Sequence, residues 1–398
     1  MISKNDIQRF KTLVSSINEP VLSVYCNVNP AIPENVGRAW YDRLKNTLKS
    51  MNELNIKLKK GKSFYEELII FLDQIRTEAR TLVLFAWINE KGELAVEHFE
   101  LQVDLPVVDL RSGRVEAHFG KPYLTPILYA FDEFRRLGVL HIYGSKWRFY
   151  EVFMNEVKEV TDVFAAITPN EWKEFNEYSQ IIESGVLEDK MFNAKMKFKD
   201  KIKAKQQTFS HKLYVTLAQM LEKSIHEFEM DRLILMGNDW QIKLFENYLS
   251  RPLRQLIVGY ATNPANPENP SAKDILDRIS PIMREAEEQE EMQLINEAQG
   301  PKGVSGLQNV LEALQMGQLQ VLILPWDLNV SVYRCSDGII FATPEEAKDY
   351  DDSFEEIPLK KEIFYLAAKY ATRLEFVNNV PKEKLYNELE GIAGILRW

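Results

Sequence analysis

Short apolar runs alternate along this chain with longer segments of helical period, and that alternation limits the folds open to it. Arg232-Leu-Ile-Leu-Met-Gly237 reads as a buried strand that stops at a glycine. A helix follows over 240–250, and Leu256-Ile-Val-Gly-Tyr260 reads as the next strand. Strands separated by helices lead to a mainly parallel sheet covered by helices, an α/β fold. Earlier, Val21-Leu-Ser-Val-Tyr-Cys-Asn-Val28 predicts a strand, 40–58 and 64–75 predict helices, and 81–88 and 94–103 predict a hairpin turning at Lys91-Gly92. A second hairpin is expected from Gly138 through Trp147-Arg-Phe-Tyr-Glu-Val-Phe153. Another strand is expected over 157–163, and a long amphipathic helix over 208–228 with Leu213, Leu217, Leu221 and Ile225 on one face.

A length of 398 residues suits about three domains of roughly 130. The clearest linker is Asn263-Pro-Ala-Asn-Pro-Glu-Asn-Pro270. The expected division is 1–134, 135–268 and 269–398, each of α/β character. In the last part a helix over 271–298, a loop at 300–306, a helix over 307–316 ended by Gly317, and a strand at 320–325 are expected. They are followed by a helix over 362–371, a strand over 373–377 and a short helix over 385–389. No apolar run nears the ~20 residues that span a bilayer, so no membrane is expected as partner. The first residues, Met1-Ile-Ser-Lys-Asn-Asp-Ile, do not read as a secretory signal. Two cysteines, Cys26 and Cys335, call for no disulfide framework, and a cytoplasmic location is the expectation.

Charge is uneven. Residues 271–398 hold 13 basic and 23 acidic side chains, which accounts for the whole formal charge of −10. Such a segment is repelled by bare phosphate and better suited to a protein partner. The middle third holds the opposite feature: 190–205 contains seven lysines and one acid, Asp200. Within it Lys195, Lys197, Lys199, Lys201, Lys203 and Lys205 occupy every second position. An extended backbone would project all six from one face, a comb able to track an RNA backbone. A helix would spread them around its circumference, and a solvated surface segment is the plainer alternative.

Other chemistries find little support. The five histidines, His98, His118, His141, His211 and His226, lack ligand spacing, and there is no Cys-x-x-Cys, so no metal site is expected. Gly300-Pro-Lys-Gly-Val-Ser-Gly306 lacks the phosphate-loop pattern and reads as a helix-entry loop. Asp351-Asp352 and Glu355-Glu356 read as a solvated acidic loop, and Trp147, Phe149 and Tyr150 as sheet packing rather than a base-stacking platform. Met316-Gly317-Gln318 reads as a helix C-cap. No cofactor is implied.

Three landmarks then line up: the Val21-Leu-Ser-Val-Tyr25 strand, the hairpin from Gly138 through Trp147-Arg-Phe-Tyr-Glu-Val152, and the final third. In that third Gly306, Ala313-Leu-Gln-Met-Gly317 and Val321-Leu-Ile-Leu324 precede Gly391-Ile-Ala-Gly-Ile-Leu-Arg-Trp398. The set resembles bacterial members of the archaeo-eukaryotic peptide-chain release-factor family, which includes the ribosome-rescue factor Pelota. The resemblance implies a three-domain release-factor-like architecture. Its middle domain would be RNase-H-like and would reach the peptidyl-transferase centre. Its last domain would be an α/β fold like that of kink-turn-binding ribosomal proteins and would contact a translation GTPase. It also implies a Gly-Gly-Gln tip in the loop before the long middle helix. Here that region reads Lys205-Gln-Gln-Thr-Phe-Ser-His211, with no glycine between Gly185 and Gly237. Gln206 or Gln207 is the only stand-in for ester hydrolysis, and residues with β-carbons before them restrict positive φ.

The expectation is therefore a ribosome-associated factor of the A-site region, acting in rescue or hibernation by occlusion rather than bond-breaking. The six lysines would meet ribosomal RNA or tRNA. Two alternatives stay open: a peptidyl-tRNA hydrolase with an atypical loop, and an interaction protein on the same fold that has left translation.

Overall fold

β1 (Val21–Asn27) carries the β-branched Val21 and Val24 and the aromatic Tyr25, and all of it is buried. In the computed structural model, which describes residues 20–59, 61–108, 113–144, 146–174 and 196–398, it is an inner strand of an antiparallel sheet. β2 (Thr81–Ile88) and β4 (Val115–Gly120) flank it, and β3 (Leu94–Leu101) pairs beyond β2. Two helices, α1 (Ala39–Lys49) and α2 (Phe64–Gln74), lay Trp40, Leu44, Leu48, Leu68 and Leu72 on Leu22, Val24, Leu82 and Leu84. The helix expected over 40–58 stops at Ser50 and gives way to a 3-10 turn, Asn52–Asn55, that buries Leu54. A reciprocal Ser63/Glu66 cap starts α2.

The chain divides into two compact units, Met1–Phe134 with Glu288–Trp398, and Arg135–Glu287. In the first unit the join is α3 (Thr125–Glu133), an element the sequence reading missed. Tyr129 packs edge-on against Phe376 and tilted against Trp326, with centroids 5.5 and 4.7 Å away. The Thr125 hydroxyl donates to the Lys360 carbonyl at 2.8 Å, and the Phe376 N–H donates to Asp132 at 3.1 Å. The Asn378 amide donates to Glu133 at 2.9 Å.

The remainder of that unit is a mixed sheet of order β10-β16-β11-β15. Its strands are β10 (Gly303–Ser305), β11 (Leu319–Pro325), β15 (Arg373–Val377) and β16 (Ala393–Leu396). The 300–306 stretch, expected as a plain loop, thus supplies an edge strand paired with β16. α8 (Leu307–Gln315), α10 (Leu359–Lys369) and α11 (Asn379–Leu389) accompany the sheet. A three-stranded sheet, β12 (Ser331–Cys335), β13 (Ile340–Phe341) and β14 (Phe354–Pro358), is followed within its span by α9 (Pro344–Tyr350). The acidic stretch is more ordered than a solvated loop. Glu355 lies in β14 and pairs with Arg334, and Asp351 accepts from the Ser336 N–H at 3.1 Å and from its hydroxyl at 2.5 Å.

The second unit carries a five-stranded sheet of order β7-β6-β5-β8-β9. β5 (Leu137–Tyr143), β6 (Lys146–Phe153) and β7 (Glu156–Glu159) form an antiparallel meander, while β8 (Arg232–Gly237) and β9 (Ile257–Ala261) add in parallel to β5. The sheet is thus mixed, where the strand–helix alternation predicts a mainly parallel one. One face is covered by α4 (Met196–Glu227), α5 (Asp239–Glu246) and α6 (Arg251–Gln255). The other receives Ile275 and Ile279 of α7 (Ala272–Ala298), whose first turn is capped by Ser271 and Asp274. The proline-rich 263–270 stretch lies inside this unit. It is held to β5 and β6 by His141–Asn263 at 3.0 Å, Arg148–Asn269 at 2.8 Å and Lys146–Glu268 at 3.3 Å.

Candidate nucleic-acid interface

The lysine-bearing segment is the start of α4. Met, Lys, Ala and Gln are good helix formers and supply nine of the twelve residues of 196–207, and the backbone is helical from Met196. The loop expected before the long helix is absent there, and Gln206 and Gln207 lie within the helix rather than at a tip. Two residues along a helix turn the position by about 200°. Lys197, Lys201 and Lys205 therefore occupy one arc of the axis, and Lys199 and Lys203 the opposite one. The backbone rules out the extended comb for these five. Lys195 lies outside the described residues.

From Ser210 on, the helix is gripped by the sheet. Leu213, Leu217, Leu221 and Ile225, spaced by four, are buried against Leu140, Leu233 and Leu235. Burying a leucine of this kind contributes roughly 1.5–3 kcal/mol. An aromatic cluster surrounds the same turn. Trp147 meets Phe245 edge-on at 4.7 Å and Tyr214 at 6.0 Å, and Tyr214 stacks on Tyr248 at 4.9 Å with an interplanar angle of 19°. Trp147, Phe149 and Tyr150 are all buried, as the packing reading expects. His211 is exposed and rests its ring 5.3 Å from Tyr248. Glu222 accepts the Ser250 hydroxyl at 2.8 Å, fastening α4 to the start of α6. The lysine-bearing turns are thus continuous with a helix that the aromatic cluster anchors from Ser210 onward.

A polar chain at the carboxyl ends of β5 and β8 escaped sequence reasoning. His141, fully buried, meets Asn263, and Asn263 donates to Asn238 at 2.8 Å. Burial holds the His141 imidazole below its ordinary range, against the opposing effect of the Asn263 hydrogen bond. Nothing in the spacing of these residues announces the contact, since His141 and Asn263 are 122 positions apart. Among the described residues no group of His, Cys, Asp and Glu is arranged to hold a metal ion. No described helix is long and apolar enough to cross a membrane.

Residues 122–284 match the model of a family described as bacterial archaeo-eukaryotic release factor family 10. The middle of the chain is release-factor-like. The match begins beside α3 and covers the five-stranded sheet, α4 and the first half of α7. Among solved structures, the chain is similar to an archaeal translation termination factor, at 15% identity over 100% of this chain and 99% of that one, with a TM-score of 0.24. It is similar to a translation termination-like factor of S. cerevisiae involved in RNA quality control, at 9% identity over 80% and 79%, TM-score 0.38. It is also similar to an archaeal Pelota in its ribosome-bound form, at 12% identity over 100% and 95%, TM-score 0.38. No curated protein matches the sequence.

Proposed function

We propose that this chain is a ribosome-associated translation factor that binds the A-site region in rescue or hibernation. Its lysine-rich segment from Lys195 to Lys205 meets ribosomal RNA or tRNA, and its acidic last third meets a protein, with a translation GTPase as the partner the family resemblance implies. In this reading 1–134, 135–268 and 269–398 act as the three functional parts. The observation that carries it is the release-factor family match across 122–284, the region that contains the lysine-bearing helix. The helical backbone at Gln206 and Gln207 favours occlusion over hydrolysis, because a water-positioning tip needs the backbone freedom that glycine supplies.

Ribosome co-sedimentation at low and moderate salt tests this, using wild type beside a variant with Lys195, Lys197, Lys199, Lys201, Lys203 and Lys205 changed to Gln. Wild type is expected in ribosomal fractions, with binding that falls as salt rises, and the variant is expected to lose most of it. Absence of wild type from those fractions in both growing and starved cells would sink the proposal. Release of labelled peptide from peptidyl-tRNA, lost in Gln206→Ala/Gln207→Ala, would replace it by the hydrolase reading.

A further inference from the structure

In the first unit, the end of α8 and the strand β13 enclose an open groove of about 310 Å³. Its floor is apolar, formed by Leu311, Met316, Ile339, Phe341 and Ala342. Met316 is 60% exposed, a large apolar side chain left in water. Its position is fixed by the helix end. Gly317 takes φ +70°, its N–H donates to the Leu314 carbonyl at 2.9 Å, and the Gln318 N–H donates to the Ala313 carbonyl at 3.0 Å. The far wall is fixed too. The Gln315 side chain accepts from the Ile340 N–H and donates to the Ile340 carbonyl, both at 2.8 Å, as a neighbouring strand would. The groove is therefore preformed, and an occupant would meet little ordering cost. Phe341 continues toward Tyr350, which is 54% exposed, with ring centroids 5.3 Å apart.

Charge decides the occupant. The lining includes Glu312 and Glu346 and no basic side chain. Neither glutamate has an ion-pair partner among the described residues. The Gln315 amide is already engaged, so the free polar groups of the lining are the Glu312 and Glu346 carboxylates and the exposed Gln308 amide. We propose that this groove binds a protein segment carrying bulky apolar side chains flanked by lysine or arginine, an amphipathic basic helix. The apolar anchors would cover Met316 and Phe341, and the basic flanks would meet Glu312 and Glu346. The proposal rests on reading the acidic last third as a protein-docking part, and it is independent of the lysine helix.

The experiment uses the full chain without ribosomes, so that it can fail separately from the ribosome-binding reading. Three labelled peptides of about 15 residues, long enough for a helix, are titrated by fluorescence anisotropy. One is amphipathic Leu/Lys, one is amphipathic Leu/Glu, and one is a scrambled Leu/Lys of the same composition. The amphipathic Leu/Lys peptide is expected to bind at least about tenfold more tightly than either other peptide. Met316→Asp, at an exposed position that leaves the core intact, is expected to weaken it by about tenfold or more. Glu312→Lys with Glu346→Lys is expected to reverse the preference toward the Leu/Glu peptide. Equal binding of all three peptides, or unchanged binding by both variants, would overturn the proposal. So would a concentration-dependent dimer abolished by Met316→Asp, which would put a second copy of the chain in the groove.

Discussion

Replacing Gln315 by leucine removes one side chain that satisfies two buried backbone groups. Ile340 is 2% exposed, and its N–H and carbonyl turn to the Gln315 amide at 2.8 Å each. A buried polar group left without a partner costs about 1–3 kcal/mol. Two such groups would cost about 2–6 kcal/mol if the strand stayed in place. β13 is only two residues long and can part from the groove to reach water, so local opening caps the loss near 2 kcal/mol. The readout is hydrogen exchange at the neighbouring Cys335 amide, which donates to the Ile339 carbonyl at 2.8 Å and does not touch Gln315. A loss of about 2 kcal/mol accelerates that exchange about 30-fold, since about 1.4 kcal/mol is a factor of ten. Gln315→Glu separates hydrogen bonding from volume. The carboxylate keeps the acceptor for the Ile340 N–H but sets negative charge against the Ile340 and Leu311 carbonyls that Gln315 now donates to. Its folded pKa is then raised, because only the protonated acid can donate. The stability of this variant is full below the ordinary carboxyl range and lost as pH rises through the folded value. Exchange in Gln315→Glu should thus approach wild type at low pH and exceed it at neutral pH. Equal exchange in wild type and both variants at every pH would refute the view that this amide completes the sheet.

Three further outcomes follow from the packing. Leu217→Ala empties a fully buried site under α4 and should destabilise the second unit by about 2–5 kcal/mol, measured by denaturant unfolding. The imidazole of His141 is held below its ordinary range mainly by burial, so the unfolded chain binds the proton more readily. Stability of that unit should therefore fall as pH drops below about 6.5, and His141→Gln should flatten the dependence in thermal melts. Cys26 is buried in the first unit, with its thiol pushed up to about 12 by that burial. It should resist iodoacetamide at pH 8 in the native protein and react once denatured; rapid native labelling would contradict the packing.

Short strands rich in apolar residues were the most legible elements. Arg232–Gly237 and Arg373–Val377 appear with the bounds the apolar runs suggest. The small sheet was not legible, because Ser-Val-Tyr-Arg-Cys and Phe-Glu-Glu-Ile-Pro are half polar and their burial is shallow. The terminal Gly-x-x-Gly motif was visible as a pattern, yet its role as the strand β16 depends on neighbours far away in sequence. A two-residue lysine period favours neither helix nor strand by itself. Here helix propensity and the apolar phase continuing from Leu213 decide it. The groove could not be read in advance, since Gln315 and Ile340 are 25 positions apart with β11 and β12 between them.

The join made by α3 bears on how the chain is born. Thr125 and Lys360 are 235 positions apart, and Glu133 and Asn378 are 245 apart. A ribosome adding about 5–20 residues per second takes roughly 12–50 s to cover that distance. For most of that interval Tyr129 has neither Trp326 nor Phe376 to lean on. The nascent protein thus waits with an aromatic seam uncovered while its inserted domain is made, a window in which chaperone capture would be most effective.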